Sequence, residues 1–361
     1  MSEPRSGASI RYENHWVHRL ALLHYPCGLS RRMIDLNGKT ILITGGTGSF
    51  GTACVARILT EFDPKAIRIY SRDELKQLEV QRTYSDDTRL RYLIGDVRDL
   101  PRLVRATRGV DVIIHAAAMK QVPACEYNPF EAVQTNLIGA ENVVTAAIEN
   151  EVPQTIALST DKAVNPVNLY GATKLAAEKV FAQANSYSVD SVASFASVRY
   201  GNVVGSRGSV IPLFIAQAPT GVITITDERM TRFWITLDQA VDFVLNSLGR
   251  MGGGETFVPR VPSMRVTDIA EAIAPGCERT VIGIRAGEKL HEVLITEDES
   301  RHAVETDWGF VIFPEYASWS LKEHEGGREL PDGYRYASDT NDQWLTTEQL
   351  RSTISDVAVA R

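Results

Sequence analysis

The run Thr40-Ile41-Leu42-Ile43-Thr44-Gly45-Gly46-Thr47-Gly48-Ser49-Phe50-Gly51 carries the strongest structural signal in the chain. Five residues of a buried-strand pattern break into glycines spaced GxxGxxG, and a helical pattern follows over 49–60. Gly45 permits a tight turn, Gly48 lets backbone approach a pyrophosphate, and Gly51 lets helix pack closely on strand. The helix N-terminus offers unpaired N–H groups to an anion. Strand, turn and helix in this order predict dinucleotide binding through Gly45, Thr47, Gly48, Ser49, Phe50 and Gly51.

The same rhythm continues outward. Apolar runs at 66–70, 91–94, 110–114 and 155–159 read as strands, with helical stretches at 74–84, 100–106, 129–150 and 169–185 between and after them. This alternation predicts an α/β fold, a Rossmann-type doubly wound parallel sheet over residues 33–201. From 202 to 300 the text loosens into Gly, Pro and Arg punctuation with short strands at 222–226 and 255–258. We expect there a smaller mixed C-terminal substrate-binding region, with segments crossing back to the first. Residues 301–361 read as a loosely structured C-terminal extension with a docking helix near 346–354. Residues 1–32 carry Arg5, Arg11, Arg19, Arg31 and Arg32, and their apolar stretch Leu20-Ala21-Leu22-Leu23 is broken by His24 and Pro26. They read as a leader, disordered or a mis-called start, in preference to a targeting peptide.

Composition bounds the function. The 361 residues are 44% hydrophobic and 23% charged, with a net charge of −7. That balance argues against a nucleic-acid partner bound through a basic surface. No apolar run approaches the roughly 20 residues of a membrane span, so no membrane partner is expected. Cys27, Cys54, Cys125 and Cys277 are too scattered for a metal knuckle or a disulfide framework. A reducing, cytoplasmic location without a bound metal is the expectation.

The end of the second strand selects the nucleotide. An NAD reader places Asp or Glu there, but this chain has Tyr70-Ser71-Arg72, with Lys76 one turn on. Ser71, Arg72 and Lys76 suit the 2′-phosphate of NADP. Asp73 is an opposing, NAD-like signal, and Arg72 and Lys76 could instead be solvated charges at a helix start. Asp96 and Val97 after the third strand are placed for adenine. Ala116 and Ala117 after the fourth have the small side chains that a close-lying cofactor needs.

Tyr170-Gly171-Ala172-Thr173-Lys174 puts a Tyr and a Lys on one helical face. A tyrosine is a poor base at neutral pH unless a cation favours its phenolate. After the fifth strand of a Gly-loop chain, this YxxxK resembles the extended short-chain dehydrogenase/reductase superfamily. There the Tyr abstracts a hydroxyl proton as hydride passes to the cofactor. Ser159-Thr160-Asp161-Lys162 closes that strand. Related dehydratases of glucose nucleotides have Thr-Asp-Glu at this point, so Lys162 stands in the Glu position. An acid and a base beside the Tyr suit a dehydration, in which a C4 ketone acidifies the C5 hydrogen and water leaves from C6. To act as the base, Lys162 needs a lowered pKa.

Longer stretches sharpen the likeness: YSRDELKQ (70–77), STDKAVNPVNLYGATK (159–174), VRYGNVVGSRGSV (198–210), MTRFWIT (230–236) and GIRAGEKLHEV (283–293). Together they resemble the soluble, inverting UDP-N-acetylglucosamine 4,6-dehydratases, which open the pseudaminic acid pathway. The resemblance implies UDP-N-acetylglucosamine as substrate and a homo-oligomer, dimer or hexamer. It implies Tyr170 as oxidation base, Lys174 as its partner and Thr160 as a sugar-hydroxyl contact. It implies Asp161 as acid for the leaving group and Lys162 as C5 base and reprotonator. Lys120, Gln121, Asn202 and the 199–201 segment would face the sugar. Arg285 and Glu288 would reach the UDP, although Arg285 could be a surface ion pair, and Arg207 would meet the diphosphate or another subunit. Trp234 reads as core before ligand contact. A UDP-sugar 4-epimerase shares the Gly loop and YxxxK but needs no acid–base pair. A noncatalytic NADP sensor would not need YxxxK.

Overall fold

The computed structural model describes residues 34–84, 87–188, 191–204 and 210–359. The expected leader 1–32 and Arg207 lie outside the described residues. The first half alternates as its periodicity requires. It runs β1 (Thr40–Thr44), α1 (Ser49–Glu61), β2 (Ala66–Ser71), α2 (Glu74–Thr83), β3 (Leu90–Ile94), α3 (Leu100–Thr107) and β4 (Val112–His115). It continues with α4 (Val122–Tyr127), α5 (Pro129–Val133), α6 (Gly139–Glu149), β5 (Gln154–Leu158), α7 (Leu169–Tyr187) and β6 (Ser194–Val198). Asp73, Asp99 and Asn168 start α2, α3 and α7 by accepting the backbone N–H groups of Lys76, Arg102 and Gly171.

Successive strand residues point to opposite faces, and both faces are covered. Ile41 and Ile43 pack with Cys54, Val55 and Ile58 of α1. Leu42, between them, joins Leu103 of α3, Val143 and Ala147 of α6 and Phe181 of α7. Burying each such Ile or Leu stabilises the fold by about 1.5–3 kcal/mol.

The second half comprises β7 (Asn202–Val203), α8 (Val210–Gln217), β8 (Val222–Ile225), β9 (Thr231–Ile235), α9 (Leu237–Arg250), β10 (Thr256–Val258), β11 (Ser263–Arg265) and α10 (Val266–Ile273). After these come β12 (Glu278–Val281), β13 (Val293–Ile295), α11 (Glu297–Ser300), β14 (Ala303–Thr306), β15 (Gly309–Ile312), β16 (Arg328–Glu329), β17 (Tyr336–Ala337) and α12 (Thr347–Val359). The main sheet has the order β16-β14-β15-β10-β6-β5-β4-β1-β2-β3. From β3 to β10 every pairing is parallel. The chain direction of winding reverses between β1 and β4, the crevice where α/β sheets bind ligands. Small sheets β11-β9-β7 and β12-β8 stand beyond it. They share a separate core of Ile211, Phe214, Ile225, Trp234, Ile269 and Leu350.

Two stretches depart from expectation. Residues 303–312 are not a loose tail. They form a hairpin that pairs antiparallel with β10 and extends the main sheet. Strands of four residues are too short for periodicity to reveal, and this pair is ordered by burial against its neighbours. The helix expected over 129–150 is interrupted by a π-helical turn at Gln134–Ile138. The cause is a side-chain anchor at Asn136, described below.

Candidate active site

The loop after β1 is closed against the exit of β4. Gly45 has a φ of +67°, and a Cβ there would stand 2.8 Å from the Ala117 nitrogen. A Cβ on Gly51 would meet the Gly46 Cα at 2.5 Å, so α1 rests on the turn itself. The first turn of α1 has no acidic residue, and Gly48 supplies no side-chain cap. Its N–H donors remain available to an anion, and the crevice fits a dinucleotide pyrophosphate.

One cavity of about 1200 Å³ runs from this loop across the switch point. Its wall includes Gly45, Thr47, Gly48, Ser49, Phe50, Gly51, Ser71, Arg72, Asp73, Lys76, Asp96, Val97, Ala116 and Ala117. Lys120, Gln121, Thr160, Lys162, Tyr170, Lys174, Asn202, Arg285 and Glu288 line the same cavity. At the nucleotide end the Ser71 and Thr47 hydroxyls are 2.8 Å apart. Lys76 Nζ is 2.7 Å from Asp73 Oδ2, and Arg72 Nη1 is 3.6 Å from Asp96 Oδ2. The Asp73 carboxylate is thus committed to capping α2 and to Lys76. Arg72, 58% exposed, reaches over the rim.

Asn136 explains how the β4 exit is held. Its amide accepts from Met119 N–H at 2.8 Å and donates to Met119 O at 2.9 Å and to Thr173 Oγ1 at 3.0 Å. The extra residue of the π turn aims this side chain at the loop between Ala116 and Lys120. It ties that loop to α7, the helix that carries Tyr170 and Lys174.

At the other end, Thr160 Oγ1 donates to Asp161 Oδ1 at 2.9 Å, and Lys162 Nζ lies 3.0 Å from the same oxygen. Asp161 itself is fully buried beneath the cavity wall. Burial alone would lower the Lys162 pKa, but Asp161 and Glu292 outweigh it and raise it above the ordinary lysine value. The lowered pKa expected of Lys162 is therefore not found, because two carboxylates hold its ammonium. Burial pushes Tyr170 up to about 12, while Lys162 and a hydrogen bond with Thr160 pull it down. Lys162 is thus a second cation acting on the Tyr170 phenol, beside Lys174 on the same helix face. Burial lowers Lys174 to about 8, against an opposing pull from Glu178.

Three further residues of this end escaped the sequence reading. Glu292 Oε1 is 3.7 Å from Lys162 Nζ and 3.8 Å from Arg232 Nε, and Lys289 Nζ is 3.7 Å from Glu292 Oε2. All three line the cavity. They sit within the quoted 230–236 and 283–293 stretches, which was the available signal. Arg199 does not face the sugar pocket. It is buried between Glu178 (2.6 Å) and Glu299 (2.8 Å), joining α7 to α11. Trp234 is core, 1% exposed. Arg285 Nη1 is 3.6 Å from Glu288 Oε1, and both residues border the cavity.

The family described as "Polysaccharide biosynthesis protein" matches residues 41–313. A Campylobacter jejuni subsp. jejuni serotype O:23/36 (strain 81-176) protein named "UDP-N-acetylglucosamine 4,6-dehydratase (inverting)" is 51% identical over 329 residues, 88% of this chain and 98% of that protein. A Rickettsia conorii protein named "UDP-glucose 4-epimerase" is 46% identical over 274 residues, covering 73% of this chain and 80% of that protein. Among solved structures, "X-ray structure of Pen from Bacillus thuringiensis" superposes with a TM-score of 0.83 at 39% identity, covering 90% of this chain and 100% of that one.

Proposed function

The chain belongs to the polysaccharide biosynthesis family that includes the inverting UDP-N-acetylglucosamine 4,6-dehydratases, and from that premise we propose that it is itself such a dehydratase, a hydro-lyase. The observation that carries this reading is the Asp161–Lys162 pair, 3.0 Å apart, beside Thr160 and Tyr170 at one end of the cavity. A 4-epimerase has no step that calls for this pair.

A bound nicotinamide supplies the two-electron acceptor for oxidation at C4 of the sugar and gives the electrons back at C6, so the cycle is redox-neutral. Residues of the Gly45–Gly51 loop and the β4 exit would hold it, and Ser71, Arg72 and Lys76 favour NADP over NAD. Tyr170 takes the proton of the C4 hydroxyl. Its phenol needs a cation to do so near neutrality, and Lys162 acts on it beside Lys174 of the same helix face.

Elimination requires a base and an acid at once. The resting pair is ammonium and carboxylate, and moving one proton from Lys162 to Asp161 makes an amine and a carboxylic acid. The amine removes the C5 proton, and the acid protonates the oxygen leaving from C6, which departs as water. Lys162 is again ammonium and Asp161 again carboxylate, so the protons balance. As the electrons return at C6, Lys162 gives a proton to C5 on the opposite face, which yields the L-arabino 4-keto-6-deoxy sugar, and the proton Tyr170 took from the C4 hydroxyl restores the Lys162 ammonium. Asp161 reaches its role only if its side chain turns toward the cavity, since it lies beneath the wall. Lys120, Gln121, Asn202, Arg285 and Glu288 would bind the UDP-sugar.

The product would serve pseudaminic-acid-type nucleotide-sugar synthesis and flagellin glycosylation, in the cytoplasm, with the enzyme as a homo-oligomer. No helix among the described residues is long and apolar enough to cross a membrane. The second reading, a UDP-sugar 4-epimerase, is favoured by the name of the rickettsial relative. Incubation with UDP-N-acetylglucosamine in heavy water, followed by NMR, separates the two. A 4-keto-6-deoxy sugar with deuterium at C5 supports dehydration, and an intact C6 hydroxyl with inverted C4 supports epimerisation.

A further inference from the structure

Glu292 is a buried carboxylate set among three cations and bound closely to none of them. Lys162 Nζ, Lys289 Nζ and Arg232 Nε stand 3.7, 3.7 and 3.8 Å from its oxygens, all beyond hydrogen-bond length. Its main chain is fixed, since Glu292 N–H donates to Ser338 Oγ at 2.9 Å. The cations are anchored from elsewhere. Arg232 donates to the carbonyls of Thr231, Leu290 and Lys289, and Lys289 donates to the carbonyl of Val164. Of the three, Lys162 alone is also paired with the acid of the reaction, at Asp161 Oδ1. Lys162 is therefore strung between one carboxylate below the wall and another on it.

We propose that Glu292 is a positioning residue for the proton-transfer lysine: it orients the Lys162 side chain and stabilises the ammonium formed when Lys162 takes the C5 proton. This rests on the dehydratase reading above and adds a third member to its acid–base pair. The logic is that of a carboxylate behind a catalytic histidine, which steadies the cation without itself being protonated. The charges fit the reaction. Arg232, Lys289 and Lys162 against Asp161 and Glu292 leave one net positive charge. The enolate that appears on C5 deprotonation then faces Arg232, Lys289 and the newly formed Lys162 ammonium, with Glu292 offsetting one of these positive charges. The charged and titratable groups facing Lys162 are Asp161 on its own turn, Tyr170 from α7, Arg232 from β9, and Glu292 from the segment before β13. Lys289, on that same segment, acts on Lys162 as a like charge.

The test uses the full chain with its nicotinamide and UDP-N-acetylglucosamine. In Glu292→Gln, oxidation at C4, read as absorbance of reduced nicotinamide, should stay within a few-fold of wild type. Release of the dehydrated sugar and deuterium entry at C5 should fall roughly 10- to 100-fold. Glu292→Asp should recover most of that loss. A second readout needs no turnover. In Glu292→Gln, acylation of Lys162 by an amine reagent, followed by peptide mass spectrometry, should speed up about tenfold for each unit its pKa falls. Arg232→Gln should slow it, because a neighbouring positive charge is gone. Wild-type elimination in Glu292→Gln, equal loss of oxidation and elimination, or unchanged Lys162 acylation in both variants would each overturn the proposal. If Glu292→Gln does not fold, Glu292→Ala and Arg232→Gln carry the acylation test, with faster acylation expected of the first and slower of the second. Should the wild-type chain epimerise C4 and keep the C6 hydroxyl, the dehydratase reading fails, and the acylation rates alone decide whether Glu292 controls Lys162.

Discussion

In the turn from Thr44 to Gly51 the binding groups are backbone N–H donors, and everything that shapes them lies within a few residues or on the next strand of the sheet. At the Thr160–Lys162 turn the working groups are side chains. Their charge states depend on Arg232, Lys289 and Glu292, contributed by a distant part of the chain. The first site is geometric and tolerates no added atom. The second is electrostatic and depends on which neighbours are charged. A glycine pattern can therefore be read in isolation, whereas an Asp-Lys dipeptide acquires its chemistry from what is packed around it.

That contrast can be broken most severely at Lys162. Lys162→Ala should slow release of the dehydrated sugar by about a thousandfold, because the proposed mechanism passes both acid–base steps at C5 through it. Oxidation should slow far less, since Lys174 stays on the Tyr170 face of α7, so reduced nicotinamide accumulates on the variant. Turnover close to wild type would remove the electrostatic site from the mechanism.

Gly45→Ala attacks the geometric site. The left-handed backbone and the 2.8 Å approach to Ala117 should make the change destabilising by about 1–3 kcal/mol. Nucleotide affinity should fall with it, and thermal unfolding and titration read the two losses. An unchanged melting temperature would mean that the loop has slack the geometry does not suggest.

Lys174→Met separates stability from function. Burial holds Lys174 at about 8, so the folded chain gives up this proton more readily than the unfolded chain does. The cost to folding is fully present below pH 8 and fades as pH rises toward the ordinary lysine value. Methionine should therefore stabilise the protein by about 2 kcal/mol at neutral pH, with the gain shrinking in alkaline buffer, while turnover collapses. Denaturant titrations at pH 7 and pH 10 check both the sign and the trend.

The smallest effect is expected at Arg72. It is more than half exposed and faces Asp96 at 3.6 Å, so solvent screens it. Arg72→Ala should weaken NADP by about tenfold and leave NAD almost unchanged. Equal losses for both nucleotides would show that Arg72 does not read the 2′-phosphate.

Legibility followed the same divide. The strands from Thr40 to Leu158 and the helices α1, α2, α3 and α7 fall within a few residues of where periodicity put them. Their signals are local: apolar runs, glycines and the capping residues Asp73, Asp99 and Asn168. The π turn at Gln134–Ile138 was not legible, because its cause is a hydrogen bond from Asn136 to a loop on another element. The β14–β15 hairpin was missed for a related reason, since four-residue strands are specified by the edge they pair with. Arg199 was misplaced because an arginine within a binding stretch looks the same whether it meets a ligand or two buried glutamates.

From residue order alone come the parallel sheet, the dinucleotide crevice, the Tyr170–Lys174 face and the Asp161-Lys162 pair after β5. These depend on spacing, and spacing is a property of the chain. Proton placement is not. Lys162 needed a lowered pKa in the linear reading and has a raised one in the folded protein. Lys162, from another element, also pulls the Tyr170 phenol down. Both effects arise because a charge in a buried site is set by Coulomb interactions over a few ångströms with low screening. Which charges stand within those few ångströms was fixed only when β9 and the segment before β13 folded against the end of β5.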